Sequence, residues 1–381
     1  MSEKQGHAAS RLFAPDALRG LIMGLMALDH ANLFVAHKHS IGEMWGGAFP
    51  VYSDTLTFLT RLVTHLCAPG FFFLMGAGMA LLAYSYRQRG WSKWQVTRHL
   101  LLRGAVLIAI KLLVVNRAWE LSPAGWGIDV YIGVLFALGA TMILGSLLLW
   151  LKPVYLLLLT VVLAIGTELL VPHPSQWGAG MGWLTYVLLV PGGIVGAGGK
   201  MALWSYYPVL PWLELVTFGM VFGYWLTVDP GKAFGRAWKL GLAFLGAFVV
   251  LRYLNGFGNI RPRMGDSWID FLNVVKYPPS LAFELMTMGV NLILLALFAR
   301  VSARGRRFFQ PLVVLGQVPL FFYVLHLFVY GALGYLFAPN GTTIPRMYPF
   351  WLLGLLILFP LCLWYGRFKQ RQPAQSLLRF L

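Results

Sequence analysis

Arg11-Leu-Phe-Ala-Pro-Asp16-Ala-Leu-Arg19-Gly20-Leu-Ile-Met23-Gly-Leu-Met26-Ala-Leu-Asp29-His30 opens the first long apolar run of the chain. The run is continuous rather than alternating, so it reads as a membrane helix and not as a barrel strand, whose apolar residues would alternate over about ten positions. Five ionisable residues, Arg11, Asp16, Arg19, Asp29 and His30, sit within or at the edge of it, and such groups at membrane depth are costly enough to mark function by default. At about 100° per residue, Asp16, Arg19, Met23, Met26 and His30 return to one face of the helix. They form a single stripe with Asp16 and Arg19 at one end and His30 towards the other. Asp16 and Arg19 also read as an i,i+3 pair near the headgroups, and the methionines read as packing.

The rest of the 381 residues extends this pattern. Hydrophobic residues make up 59% and charged residues 11%, against roughly 25% charged in soluble domains. Mean hydropathy is +0.70. A chain so poor in charge cannot cover a soluble globule, which excludes soluble enzymes and disordered tails. The expected architecture is an all-α polytopic membrane helix bundle of about ten transmembrane helices. At ~20 residues per crossing, spans are expected near 17–36, 64–85, 99–116, 128–150, 153–171, 206–227, 239–254, 281–300, 311–335 and 349–366. The stretch 184–197 is an eleventh, re-entrant or interfacial segment in reserve. The whole chain, 1–381, reads as one membrane domain, with a short N-terminal segment 1–15 and a tail 367–381. No repeat stands out, and the first twenty residues lack the pattern of a cleaved signal.

The net charge of +17 lies in short basic groups between apolar runs, not on one clustered basic face. It therefore speaks first for membrane orientation and not for nucleic acid. With the N-terminus inside, 18 Lys and Arg fall on the inner side and 7 on the outer. That split predicts that both termini are cytoplasmic. Cys67 and Cys362 then lie near opposite faces and form neither a disulfide framework nor a zinc site.

Three further polar groups stand where a membrane should not tolerate them. Arg61 and His65 are i,i+4 at the outer mouth of the second span, just before Pro69-Gly70, where the backbone loosens and a cavity is tolerated. Lys276-Tyr277-Pro278-Pro279 leads into the eighth span, after an outer loop carrying Arg261 and Arg263. These basic residues break the inside bias and suggest an anionic or polyhydroxyl partner, although Arg261 and Arg263 also read as headgroup contacts. Tyr323 and His326 lie i,i+3 within the ninth span. Under the one topology, His30, His65, His326 and Lys276-Tyr277 all fall in the outer half, so an outward-opening polar site is expected. There is no nucleotide-binding, zinc-protease or serine-hydrolase signature, and no metal is expected.

The first-span pattern R-x4-D-x2-R-G-x9-H resembles the opening of membrane-embedded acyltransferases. It is most similar to bacterial relatives of heparan-alpha-glucosaminide N-acetyltransferase. Four further stretches resemble that branch: Thr60–Gly76, Tyr207–Trp212, Phe271–Ser280 and Pro319–His326. The resemblance implies an inner-membrane enzyme that moves an acyl group, acetyl in the first instance, from cytosolic acyl-CoA to a hydroxyl or amine of a periplasmic glycan or small sugar. It implies a catalytic histidine, acting as a general base or carrying the acyl group transiently. His30 matches the histidine of the O-acyltransferase branch, whereas the heparan branch keeps its histidine in the following loop, here His37 or His39. His30 is preferred because it shares the Asp16–Arg19 face. Lys276, Tyr277 or His326 would stabilise the oxyanion or orient the acceptor, with His65 beside them, and Asp16 and Arg19 would serve the donor phosphates. Membrane lipids are further partners, and monomer and homodimer both stay open. The rival reading is a proton-coupled transporter or lipid-linked sugar flippase, since buried His, Asp and Arg also build proton relays.

Overall fold

A computed structural model describes residues 12–40, 42–121, 127–176 and 181–372. Most of the segment assigned to 1–15, Arg11 included, and most of the tail at 367–381 lie outside the described residues. Among the described residues, nine helices are long and apolar enough to cross a membrane, and a tenth apolar helix is shorter. In chain order they are α1 (Phe13–Ala36), α2 (Thr55–Gln88), α3 (Lys93–Trp119), α4 (Val134–Leu148), α5 (Pro153–Leu170), α6 (Val209–Val228), α7 (Pro230–Leu254), α8 (Leu281–Arg300), α9 (Pro319–Phe337) and α10 (Ile344–Arg371). The chain is a polytopic membrane helix bundle, as its composition requires.

Local chemistry sets the helix starts. Ser92 and Gln95 form a reciprocal capping box at α3. Asp54, Asp229 and Ser280 cap α2, α7 and α8. Proline occupies the first turn of α5, α7, α9 and α10, where its missing N–H costs nothing. Pro69 cannot donate to the carbonyl one turn back, and α2 accordingly relaxes at His65-Leu66 before restarting at Cys67.

Three expected segments come out differently. The span placed at 128–150 begins as a strand, Ile128–Ile132 (β1), and its helix starts only at Val134. The alternation of Ile128, Val130 and Ile132 with Asp129 and Tyr131 is a strand period. β1 pairs in parallel with Met201–Ser205 (β3). The reserve segment at 184–197 does not form an eleventh crossing: it is a short helix, Trp183–Leu188, followed by Gly192–Val195 (β2), which pairs antiparallel with β3. The span at 311–335 is two helices, Gln310–Gln317 and α9, broken at Val318 because Pro319 starts the second.

One face of the bundle gathers the loops at 37–54, 171–208 and 255–280, and they are bound to each other. The backbone N–H of Lys276 donates to Glu43 O at 2.9 Å and that of Trp45 to Tyr277 O at 2.8 Å. Trp45 Nε1 donates to Pro172 O at 3.0 Å. Arg261 donates to Gly47 O at 2.8 Å and stacks on Phe49 at 3.5 Å, and Arg263 reaches Asp266 at 3.4 Å. Arg261 is thus engaged in holding the loop face together, while Arg263 pairs within its own loop. At the opposite end, α1 and the helix Gln310–Gln317 meet backbone to backbone. A Cβ on Gly20 would lie 1.8 Å from Leu312 O, and one on Gly316 2.0 Å from Asp16 O. Glycine is what permits that approach.

Candidate active site

The stripe on α1 lines two cavities in succession. Arg19 and Met23 border a cavity of about 510 Å³ that opens away from the loop face. Met26 and His30 border a smaller chamber of about 120 Å³ beneath the loops. The larger cavity has basic groups, Arg19, His99, Arg103 and Lys369, along walls that include Leu74, Met75, Leu82 and Leu107. That set suits an anionic head on an apolar arm. Arg19 is steadied there by Asp16 at 2.9 Å and Gly316 O at 3.0 Å, while Asp16 itself supports it from outside the cavity lining.

Asp29, His30, His39, Lys276, Tyr277 and Tyr323 line the chamber, together with Trp119, Tyr131, Tyr206 and Tyr207. The expected residues His30, Lys276 and Tyr277 therefore converge. His326 lies directly behind His30, its Nε2 2.9 Å from His30 Nδ1. The carbonyl contacts assign the protons on this pair, since a carbonyl only accepts. His326 Nδ1 lies 3.0 Å from Phe322 O and must carry hydrogen. His30 Nδ1 lies 3.0 Å from Met26 O and must carry hydrogen too. His326 Nε2 then accepts from His30, and the neutral His30 ring keeps its lone pair on Nε2.

His65 stands one layer back, outside the chamber lining. It donates through Nε2 to Glu43 Oε1 at 2.9 Å. Glu43 also receives a two-pronged bond from Arg61, through Nε at 2.7 Å and through Nη2, which is the strong form of this pairing. The third prong of Arg61, Nη1, bonds Asp29, which also accepts from Thr64 Oγ1 at 2.8 Å. Arg61 and Glu43 are 1% and 0% exposed, so the pair is fully desolvated. Burial alone would raise the Glu43 carboxyl, but Arg61 and His65 outweigh it and hold it well below the usual carboxylate range.

His39 Nε2 lies 2.9 Å from Arg61 Nη1 and 3.3 Å from Asp29 Oδ2. One ring nitrogen cannot accept from the guanidinium and donate to the carboxylate in the same state. The shorter contact, with a donor that can only donate, puts the His39 proton on Nδ1, which has no hydrogen-bond partner among the described residues. His37 turns away, its Nε2 3.2 Å from Phe34 O. Around the chamber, Tyr207 and Tyr277 hydroxyls lie 3.2 Å apart. Burial pushes Tyr206 up to about 12, so that phenol stays a hydrogen-bond donor at neutral pH.

A family model described as heparan-alpha-glucosaminide N-acetyltransferase, catalytic, matches residues 11–255. The chain belongs to the heparan-alpha-glucosaminide N-acetyltransferase family. The mouse (Mus musculus) protein of that name is 33% identical over 141 residues, covering 36% of this chain and 19% of its own length. The human (Homo sapiens) protein is 30% identical over 201 residues, covering 50% of this chain and 28% of its own length. The chain thus spans less than a third of either relative. The family match covers α1 to α7, hence His30, His39, Glu43 and Arg61. The fold adds Lys276, Tyr277, Tyr323 and His326 from beyond it.

Glu43 was not legible as a site residue in the sequence. A signal existed, because Arg61 and His65 have no acid on their own helix and the loop at 37–54 holds two, Glu43 and Asp54. Asp54 is used as the exposed cap of α2, which leaves Glu43 for the buried pair. Asp29 was visible in the first run but carried no assigned role. Of the aromatic lining, Tyr207 lies in a stretch that carries the family resemblance, but Trp119, Tyr131 and Tyr206 gave no sequence signal, since tyrosine and tryptophan are common throughout the chain.

Proposed function

We propose that the protein is a membrane-embedded acyltransferase that moves an acyl group, acetyl on the family pattern, from acyl-CoA to a hydroxyl or amine of a sugar or glycan. The observation that carries this reading is the α1 stripe, which lines a basic-ended cavity at Arg19 and a histidine-lined chamber at His30. The donor's phosphates meet Arg19, Arg103 and Lys369, and its apolar arm lies along Leu74, Met75 and Leu107. The loop-face chamber receives the acceptor. The basic-residue bias supports a cytoplasmic donor side and a periplasmic acceptor side in a bacterial inner membrane, with both chain ends cytoplasmic.

A thioester supplies an activated acyl carbon; the chain's residues supply the proton handling. His30 Nε2 takes the proton of the acceptor O–H or N–H as the new C–O or C–N bond forms, and returns it to the departing sulfur as the C–S bond breaks. Lys276, which pairs with no carboxylate among the described residues, supplies positive charge for the developing oxyanion, and the tyrosine hydroxyls supply donors. His326 holds the His30 tautomer. Arg61 and Glu43 fix the wall that carries Asp29 and His39. His39, which lines the same chamber, is the second base candidate once its Nε2 lone pair is released from Arg61.

Purified protein given acetyl-CoA and a set of amino sugars tests this. Thiol release should appear, and His30→Ala should lower it by about 10²-fold or more, the usual worth of a general base, with an unchanged melting profile. Full activity in a folded His30→Ala variant transfers the role to His39. Sugar flux in proteoliposomes with no thiol release would establish a carrier instead.

A further inference from the structure

The two cavities have two lining residues in common, Phe71 on α2 and Tyr323 on α9. We infer that this aromatic pair is a length gauge: Phe71 and Tyr323 set how long an acyl group can be transferred. The inference rests on the acyl-transfer reading and assigns the specificity within it.

The geometry gives the reason. A donor held at Arg19 and Arg103 that reacts at His30 has its acyl end where Phe71 and Tyr323 line both cavities. Whatever lies beyond the reacting carbonyl must then share the chamber with the acceptor. The chamber measures about 120 Å³ and the donor cavity about 510 Å³. One water takes roughly 10–15 Å³ of such space, so the chamber holds on the order of ten non-hydrogen atoms in all. A hydroxyl- or amine-bearing carbon with its neighbours takes much of that, and a short acyl group takes the remainder. A long chain has nowhere to go except back across the partition.

The partition is built to hold its position. Tyr323 is buried, and its ring meets the His326 ring edge-on with centroids 5.6 Å apart. His326 is in turn fixed by Phe322 O and His30. The ring that bounds the chamber is therefore packed on the histidine that orients the base. Phe71 lines both cavities from one turn into the restarted part of α2 (Cys67–Gln88). Removing the Phe71 ring joins the two cavities with little loss of close packing, because space already lies on both sides of it.

The experiment measures thiol release by the purified full chain from acetyl-, butyryl-, hexanoyl- and octanoyl-CoA with one acceptor. The wild type should lose at least tenfold in kcat/KM between acetyl and hexanoyl. Phe71→Ala should raise the hexanoyl-to-acetyl ratio at least tenfold, and Phe71→Leu should raise it by a smaller factor, giving a graded series if the alanine variant folds poorly. Tyr323→Phe keeps the ring and should keep the wild-type ratio. A packing defect alone would lower all four rates together and leave the ratio in place. Wild-type turnover with an unaltered ratio in both Phe71 variants overturns the gauge and leaves the acyl-transfer reading standing. No thiol release from any donor by the wild type overturns both.

Discussion

At the residue scale the site depends on which atoms already have partners. The base role proposed for His30 rests on Met26 O and His326 occupying its other nitrogen, which leaves the Nε2 lone pair. Arg61 is the opposite case, a side chain whose prongs are committed to Glu43, Asp29 and His39. Breaking such a desolvated pair leaves an uncompensated buried charge and costs about 3–5 kcal/mol. Glu43→Gln should therefore lower thermal stability strongly, and the pH dependence has a definite sign. The Glu43 carboxyl is held below its ordinary value of 4.5, so its contribution is fully present above that value and fades as pH falls through the depressed one. The melting-temperature gap between wild type and Glu43→Gln should be constant from pH 6 to 8, begin to narrow below about pH 4.5 and close only as pH falls through the depressed value. A gap that widens on acidification would mean that Glu43 is protonated in the folded protein. The stripe at Asp16, Arg19 and His30 was readable because helical spacing is local. Glu43 was not, since its partners are 18 and 22 residues away across a loop and a helix start.

At the element scale, the position of the stripe depends on how closely α1 packs against the helix Gln310–Gln317. The carbonyl of Leu312 occupies the space a side chain at Gly20 would need. Backbone cannot yield as a flexible side chain does, so overpacking of about 1–3 kcal/mol is expected for Gly20→Ala. The same change should displace Arg19, whose guanidinium is tied to Gly316 O on that helix. Gly20→Ala should then raise the KM for acetyl-CoA several-fold while kcat changes less, because donor binding and not proton transfer is disturbed. An equal fall in kcat with KM unchanged would place Gly20 in support of the chamber instead. The break at Val318-Pro319 was hidden from an apolar-run reading, since Pro319 sits between hydrophobic neighbours and interrupts no run. Strand β1 was hidden similarly: five residues of period two lead straight into an apolar helix, and the longer pattern dominates a span-sized window.

At the scale of the whole molecule, the loop face and the opposite face need sides. The excess of Lys and Arg on one of them argues that the face carrying Lys232 and Arg304 is cytoplasmic. Both native cysteines are buried, so single cysteines introduced at exposed sites report cleanly. Met264→Cys on the loop face should react with a membrane-impermeant maleimide in intact cells, and Lys232→Cys only after the membrane is opened. The reverse pattern would invert the donor and acceptor sides. The sequence by itself determined that this chain is a multi-helix membrane bundle, where most of its crossings lie and that its first helix carries a polar stripe along one face. Those properties follow from composition and from the 3.6-residue period, which act over a few turns. Only the tertiary structure decided that the stripe spans two cavities, that Phe71 and Tyr323 line both, that His326 stands behind His30 and that Glu43 answers Arg61. Those pairings join residues as far as 296 positions apart. They arise because buried charges and ring N–H groups in a membrane must find partners, and chain spacing does not say which partners the packing of ten helices will offer.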